Sequence, residues 1–143
     1  MKAQRYLNYL LSEGRVSFTR EAMQRDLGLT ANAVGCMLRK LKQKKQIVSP
    51  AKGYYLIVSP EFLCLGCLPP DFFIDDLMRY LKLDYYVALL SAALYHGAAH
   101  QQPQVFQVMV SVVRPAIQCG QVKIQFIKNQ NLYFFYLIYQ LIF

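Results

Sequence analysis

Thr30 to Lys45, TANAVGCMLRKLKQKK, holds the residues of this chain best suited to chemistry with a polyanion. On a helix, Asn32, Gly35, Cys36, Arg39 and Gln43 point outward, and Lys40, Lys42, Lys44 and Lys45 flank or follow them. Asparagine can pair bidentately with adenine and arginine with guanine, so Asn32 and Arg39 are candidate readers of base edges. Gln43 has the same chemistry as Asn32 but lies nearer the helix C-terminus. Lys40, Lys44, Lys45 and Lys52 are candidates for phosphate contacts, which displace counterions without regard to base sequence. Thr30 is the expected N-cap, its hydroxyl accepting from a first-turn N–H. A plainer reading stands beside this one, because a run of lysines can be no more than a solvated face. Gly35 also has two readings: close approach to DNA, or a tolerated loss of about 1 kcal/mol relative to alanine.

Two other constellations carry less. Cys64-Leu65-Gly66-Cys67 and His96 to His100 together have the ligand count of a tetrahedral zinc site. The 28 residues between them exceed the usual zinc-finger gap of about 12 to 15, and isolated cysteines in a linker are the simpler expectation. Asp75 and Asp76 are adjacent, so on a helix they splay about 100° apart and cannot converge on a substrate. Without a phosphate loop, nucleophile elbow or triad-like set, the sequence predicts no enzyme, no catalytic residue, no cofactor and no metal.

The elements that must position the basic segment follow from periodicity. Leu7, Leu10, Leu11 and Ala3 share one face of a first helix over 2–13, stopped by Gly14. Val16 to Phe18 is a short extended link, Thr19 caps a second helix with Ala22 and Met23 inward, and Gly28 ends it. In the third helix Val34, Met37, Leu38 and Leu41 repeat at i, i+3, i+4, i+7, the spacing that buries a face. Ile47-Val48, a turn at Ser49 to Gly53 and Tyr54 to Val58 then read as a hairpin with Lys52 at its tip. Three helices and a hairpin are the order of a winged helix-turn-helix.

Charge supports that division. The chain of 143 residues carries a net +8, and residues 1–53 account for all of it, with eleven Lys and Arg against three acids; residues 54–143 hold five of each sign. The expected organisation is therefore α+β: a winged helix-turn-helix DNA-binding domain over 1–59, a Pro/Gly-rich linker over 60–70 and a small α+β domain over 71–143. In the last, a helix over Asp71 to Leu81 turns Phe73, Leu77 and Tyr80 inward with an Asp75–Arg79 pair outside, and Asp84 caps a second helix from Tyr85 to Tyr95. Phe106 to Val112 and Val122 to Phe126 alternate as two strands of an antiparallel sheet, joined by the connection Arg114 to Gly120. The longest apolar run, Leu132 to Phe143, is twelve residues, short of the ~20 that span a bilayer, and Met1 opens no signal peptide, so a cytoplasmic protein with reduced thiols is expected.

Four segments resemble a known family: YLLSEGRVSFTREAM (Tyr9 to Met23), KGYYLIVSPEF (Lys52 to Phe62), DFFIDDLMRYL (Asp71 to Leu81) and, most specifically, YYVALLSAALYHGAAHQQPQVFQVM (Tyr85 to Met109). They are similar to the antitoxin of the bacterial AbiE abortive-infection, type IV toxin-antitoxin system, over about residues 5 to 131. The resemblance implies a winged-helix autorepressor that binds inverted repeats in promoter DNA, joined to an antitoxin domain that opposes a nucleotidyltransferase-like toxin without necessarily touching it. It also implies that Tyr85, Ser91, His96, His100 and Gln101 belong to the core of the antitoxin domain. After Asn131 the chain departs from the family, and the uncharged tail 132–143 has two readings: a buried strand that completes the sheet or, the favoured expectation, a truncated or frameshifted end that leaves the antitoxin domain incomplete. The alternatives are a stand-alone winged-helix regulator, in one form metal-responsive through the Cys and His pairs above, or a protein-interaction module whose basic helix binds an acidic partner.

Overall fold

A computed structural model of the chain describes residues 2–87 and 105–128. The expected helix beyond residue 87, the residues Ser91, His96, His100 and Gln101, and the apolar tail 132–143 lie outside the described residues. Among those described, the order is α1 (Lys2–Ser12), β1 (Ser17–Thr19), α2 (Arg20–Leu27), α3 (Ala31–Gln43), β2 (Ile47–Ala51), β3 (Tyr54–Ile57), α4 (Ile74–Leu81), β4 (Tyr85–Val87), β5 (Val105–Val110), β6 (Ile117–Cys119) and β7 (Val122–Lys128). The strands form two sheets, one ordered β1-β3-β2 and the other β4-β5-β7-β6.

Local signals in the first half act as read. The Thr19 hydroxyl accepts from Ala22 N–H at 3.1 Å and the Thr30 hydroxyl from Ala33 N–H at 3.2 Å, each replacing water at a helix start. Gly28 closes α2 at φ 62°, a left-handed conformation that an L side chain resists. Leu7, Leu10, Phe18, Met23, Val34, Leu38, Leu41, Ile47, Tyr55 and Ile57 form one core beneath the three helices. The extended link at Ser17 to Thr19 is a strand, pairing antiparallel with β3 through Phe18 opposite Tyr55. Pro50, expected in the turn, lies in edge strand β2, where a register shift between Val48 and Ala51 absorbs its missing N–H and the Ser49 hydroxyl donates to the Ala51 and Tyr54 carbonyls.

The second core is built around β3's other face. Tyr54 and Leu56 pack with Cys67, Leu68, Phe73, Ile74, Leu77, Met78, Phe106, Val108, Val110, Val122 and Ile124. The Pro/Gly-rich segment expected as a linker thus supplies two wholly covered side chains, Cys67 at 0% and Leu68 at 1% exposure. Its path is fixed by backbone contact with the β6–β7 turn, where Gln121 N–H donates to Leu65 C=O at 2.9 Å. A Cβ on Gly120, at φ 57°, would stand 2.5 Å from that carbonyl oxygen.

Three expectations about the second half are corrected. Tyr85–Val87 is a strand, not the start of a helix: its Tyr-Tyr-Val run is β-prone, and it pairs antiparallel with Val108 to Val110. The sheet is mixed, because β5 and β7 run parallel, Val105 opposite Lys123 and Val110 opposite Lys128. The connection Arg114 to Gly120 contains β6, which takes the hairpin position beside β7 and leaves β7 to meet β5 from the same direction. Val112 lies past the end of β5 and is 43% exposed, while Phe106, Val108 and Val110 are buried as the alternation requires.

Two measurements test this packing. Gly120→Ala should cost more than about 2 kcal/mol in urea unfolding, from positive φ plus collision with rigid backbone, whereas Gly28→Ala, with open space around it, should cost only about 1 kcal/mol. Equal losses would show that the Gly120 approach is not tight. The Tyr6 and Tyr54 hydroxyls are each pushed up to about 12, first by burial, with Tyr6 also held by its 3.0 Å bond to Asp26. The unfolded chain ionises near 10, so this stability is complete below pH 10 and lost as pH rises through 12. Tyr6→Phe should flatten part of that alkaline loss.

Candidate nucleic-acid interface

Helix α3 presents two faces. Val34, Leu38 and Leu41 are at most 4% exposed and fasten its back to the core, while Asn32, Cys36, Arg39, Lys40, Gln43, Lys44 and Lys45 are exposed. At 100° per residue, Asn32, Cys36, Arg39 and Gln43 fall within an arc of about 60° opposite the buried stripe. The structure therefore brings Asn32, Arg39 and Gln43 together along one line of the helix, with Lys40 to one side. Thr30, also exposed, is occupied as the N-cap.

The end of α3 explains how Lys44 and Lys45 are held. Lys45 N–H donates to Lys42 C=O at 2.9 Å and Gln46 N–H to Leu41 C=O at 3.0 Å, a terminating motif that needs a left-handed residue between them. That residue is Lys45, at φ 58°, where glycine is the usual occupant. The two cations sit where the helix dipole favours positive charge. Lys42 turns the other way, its Nζ lying 5.4 Å from the centroid of the Tyr55 ring.

Lys52 forms the two-residue hairpin turn with Gly53, and its side chain is exposed. The turn is not free. Tyr80 of α4 donates from its hydroxyl to Lys52 C=O at 2.7 Å and stacks on Tyr54 at 5.2 Å, and Arg20 N–H donates to Gly53 C=O at 3.0 Å. Lys52 is thus fixed relative to both α2 and α4.

Arg20 is the residue that sequence reasoning missed. Its guanidinium donates to Ala31 C=O at 3.0 Å, and a Cβ on Gly35 would stand 3.1 Å from its Nη2. Gly35 makes room for an arginine from α2, a reading that neither direct approach to DNA nor tolerated drift supplied. The only advance sign was a mid-helix glycine one turn from the cap, with a basic residue at the start of the preceding helix.

Of the Cys and His constellation, only Cys64 and Cys67 fall among the described residues. Cys64 is exposed and Cys67 is buried, and among the described residues no three His, Cys, Asp or Glu side chains group as metal ligands. Cys67 is not isolated either, since it shares a core cluster with Cys119. Asp75 and Asp76 both face Arg79, at 3.0 and 3.7 Å, as a surface ion pair at i, i+4 and i, i+3. The Tyr85 hydroxyl lies 3.5 Å from Asp75, and burial followed by that carboxylate holds its pKa above the usual value. Among the described residues no helix is long and apolar enough to cross a membrane.

Residues 86–134, which include β5, β6 and β7, match a family model described as the AbiEi antitoxin C-terminal domain. The match supports membership of the AbiE-type antitoxin family. The matched segment is 49 of the 143 residues, and the family it points to is a regulatory, non-enzymatic kind of protein associated with toxin-antitoxin systems. No curated protein matches the chain.

The αL position gives a test independent of any ligand. Lys45→Gly should raise stability in guanidinium unfolding by about 1 kcal/mol, because the strain of a left-handed side chain is removed and Lys45 is exposed. A drop in stability would show that its side chain is held by contacts outweighing that strain.

Proposed function

We propose that this protein is a winged helix-turn-helix repressor of its own promoter and the antitoxin component of an AbiE-like type IV system, counteracting a nucleotidyltransferase-like toxin. The observation that carries the DNA-binding half is the line Asn32, Arg39 and Gln43 on the exposed face of a helix whose back is locked into a core. The order of three helices and a hairpin, the three-stranded sheet β1-β3-β2 and the confinement of net charge to residues 1–53 support it. The family match over 86–134 supports the antitoxin half.

In mechanism, α3 enters the major groove, Asn32 and Arg39 meet base edges, and Lys40, Lys44, Lys45 and Lys52 neutralise phosphates on either side. The tethered turn delivers Lys52 in a fixed position, so little ordering entropy is lost on binding. Arg20, braced on the first turn of α3, adds a guanidinium beside the same groove. Toxin antagonism belongs to the near-neutral second half, and as a type IV activity it does not require contact with the toxin.

Promoter fragments carrying inverted repeats test the reading by gel shift at physiological salt. Promoter DNA should outcompete random DNA by at least about a thousandfold, and both affinities should fall steeply with salt. Failure to discriminate would remove the operator-reading role and favour a basic surface for an acidic protein. Arg39→Ala should lose about 1 to 3 kcal/mol at one base position, whereas Lys52→Ala should weaken all DNA alike and reduce the salt slope by about one. Equal losses on promoter and random DNA would take Arg39 off the base-reading face.

A further inference from the structure

The second core holds a thiol pair that neither DNA reading nor the antitoxin family match uses. Cys67 follows Gly66 in the Pro/Gly-rich segment, and Cys119 precedes Gly120 at the end of β6. The two glycines meet backbone to backbone: a Cβ on Gly66 would stand 3.1 Å from Gly120 Cα, and one on Gly120 would stand 2.6 Å from Gly66 C and O. Gln121 N–H donates to Leu65 C=O at 2.9 Å on the same seam. This contact, available only without side chains at 66 and 120, brings the residues that follow and precede the two glycines, Cys67 and Cys119, into one core cluster, both as free thiols.

We propose that Cys67 and Cys119 are an oxidation site for a small peroxide, which converts them to an intrachain disulfide joining the 60–70 segment to the β6–β7 hairpin. The roles of the two sulfurs differ. Cys119, at 7% exposure between exposed Gln118 and Gly120, is the one a molecule the size of hydrogen peroxide reaches; Cys67, at 0%, lies behind it. Interaction with the Cys67 thiol and the charge of Lys42 outweigh burial and hold the Cys119 thiol below its ordinary value, while the same interaction and burial push the Cys67 thiol up.

The step balances with hydrogen peroxide as oxidant. The Cys119 thiolate attacks one peroxide oxygen, the O–O bond breaks, and a sulfenic acid and hydroxide result. Cys67 sulfur then displaces the sulfenic oxygen, which leaves as water with the Cys67 proton, and the S–S bond forms. The two sulfurs together lose two electrons and the peroxide gains them. The bond closes a loop running from the segment before α4 to the last sheet hairpin, so it restrains α4, β4 and β5 as well as its own ends. The proposal does not depend on the DNA or toxin reading.

The full chain carrying Cys36→Ser and Cys64→Ser, both exposed positions, keeps the buried pair and removes competing thiols. Dilute hydrogen peroxide at neutral pH should lower the intact mass by two hydrogens, join the peptides containing residues 67 and 119, and raise Tm by roughly 10 °C, all reversed by dithiothreitol. The folded protein should cross-link about tenfold or more faster than the same chain in denaturant, where the thiols are not held together. Addition of oxygen without joined peptides, unreacted thiols, or equal rates in native and denaturing buffer would each overturn the proposal.

Discussion

Strand β3 is the constraint on which the described fold depends. It is hydrogen-bonded on both edges, to β1 and β2, and covered on both faces. The alternation of a strand sends Tyr55 and Ile57 into the core under α1 to α3 and Tyr54 and Leu56 into the core shared with α4 and the second sheet. Burying each of these apolar side chains stabilises by about 2 kcal/mol, and here four consecutive residues contribute to two different interiors. Neither core is complete without this strand. The run Tyr54 to Val58, continuous and apolar where a half-exposed strand would alternate, is the sequence record of that double burial.

The exposed polar face of α3 inherits its geometry from the same strand. Tyr55 stacks on Phe18 at 5.5 Å, Phe18 meets the edge of Tyr6 at 5.8 Å, and the Tyr6 hydroxyl ties α1 to Asp26 of α2. Lys42 lies over the Tyr55 ring as well. An aromatic column therefore links α1, β1, β3 and α3, and the helix is held by rigid rings as well as by its leucines. On the opposite face of β3, Tyr54 stacks with Tyr80, whose hydroxyl fixes the hairpin turn. The relative placement of α3 and Lys52 is set by one strand and its two neighbours.

How much of this was legible depends on the range of the interactions involved. Caps and stops are local, and Thr19, Thr30 and Gly28 act where a reader of sequence would put them. The buried stripe of α3 and the Asp75–Arg79 pair repeat within a turn or two and were equally visible. Strand direction was not, because β7 meets β5 in parallel only once the short β6 occupies the hairpin position, and a three-residue strand leaves almost no periodic signal. Tyr85–Val87 was lost in an Ala/Leu-rich context that favours helix, its partner lying some twenty residues later. The segment 60–70 looked like a linker because its prolines and glycines mark turns; those same glycines permit the backbone seam that buries Cys67. Arg20 over Gly35 joins two helices, and nothing in either helix alone announces it.

The candidate interface also shows which structural marks carry functional weight and which do not. A lysine in the left-handed conformation at a helix end invites a functional explanation, since glycine would relieve about 1 kcal/mol of strain there. Lys82 has the same φ of 58° at the end of α4, with Lys82 N–H donating to Arg79 C=O and Leu83 N–H to Met78 C=O, yet the acids on its helix, Asp75 and Asp76, already engage Arg79. The terminating motif alone therefore says nothing about nucleic acid. What separates Lys45 from Lys82 is its company: Lys40 and Lys44 within a turn and a half, the aligned Asn32, Arg39 and Gln43, and no acidic residue anywhere between Asp26 and Glu61. A cation within an uncompensated field can release counterions from a polyanion, whereas Lys82 lies in a stretch, 71–84, whose four acids outnumber its two cations. The weight of the DNA reading rests on that uncompensated field and the rigid line of polar side chains within it.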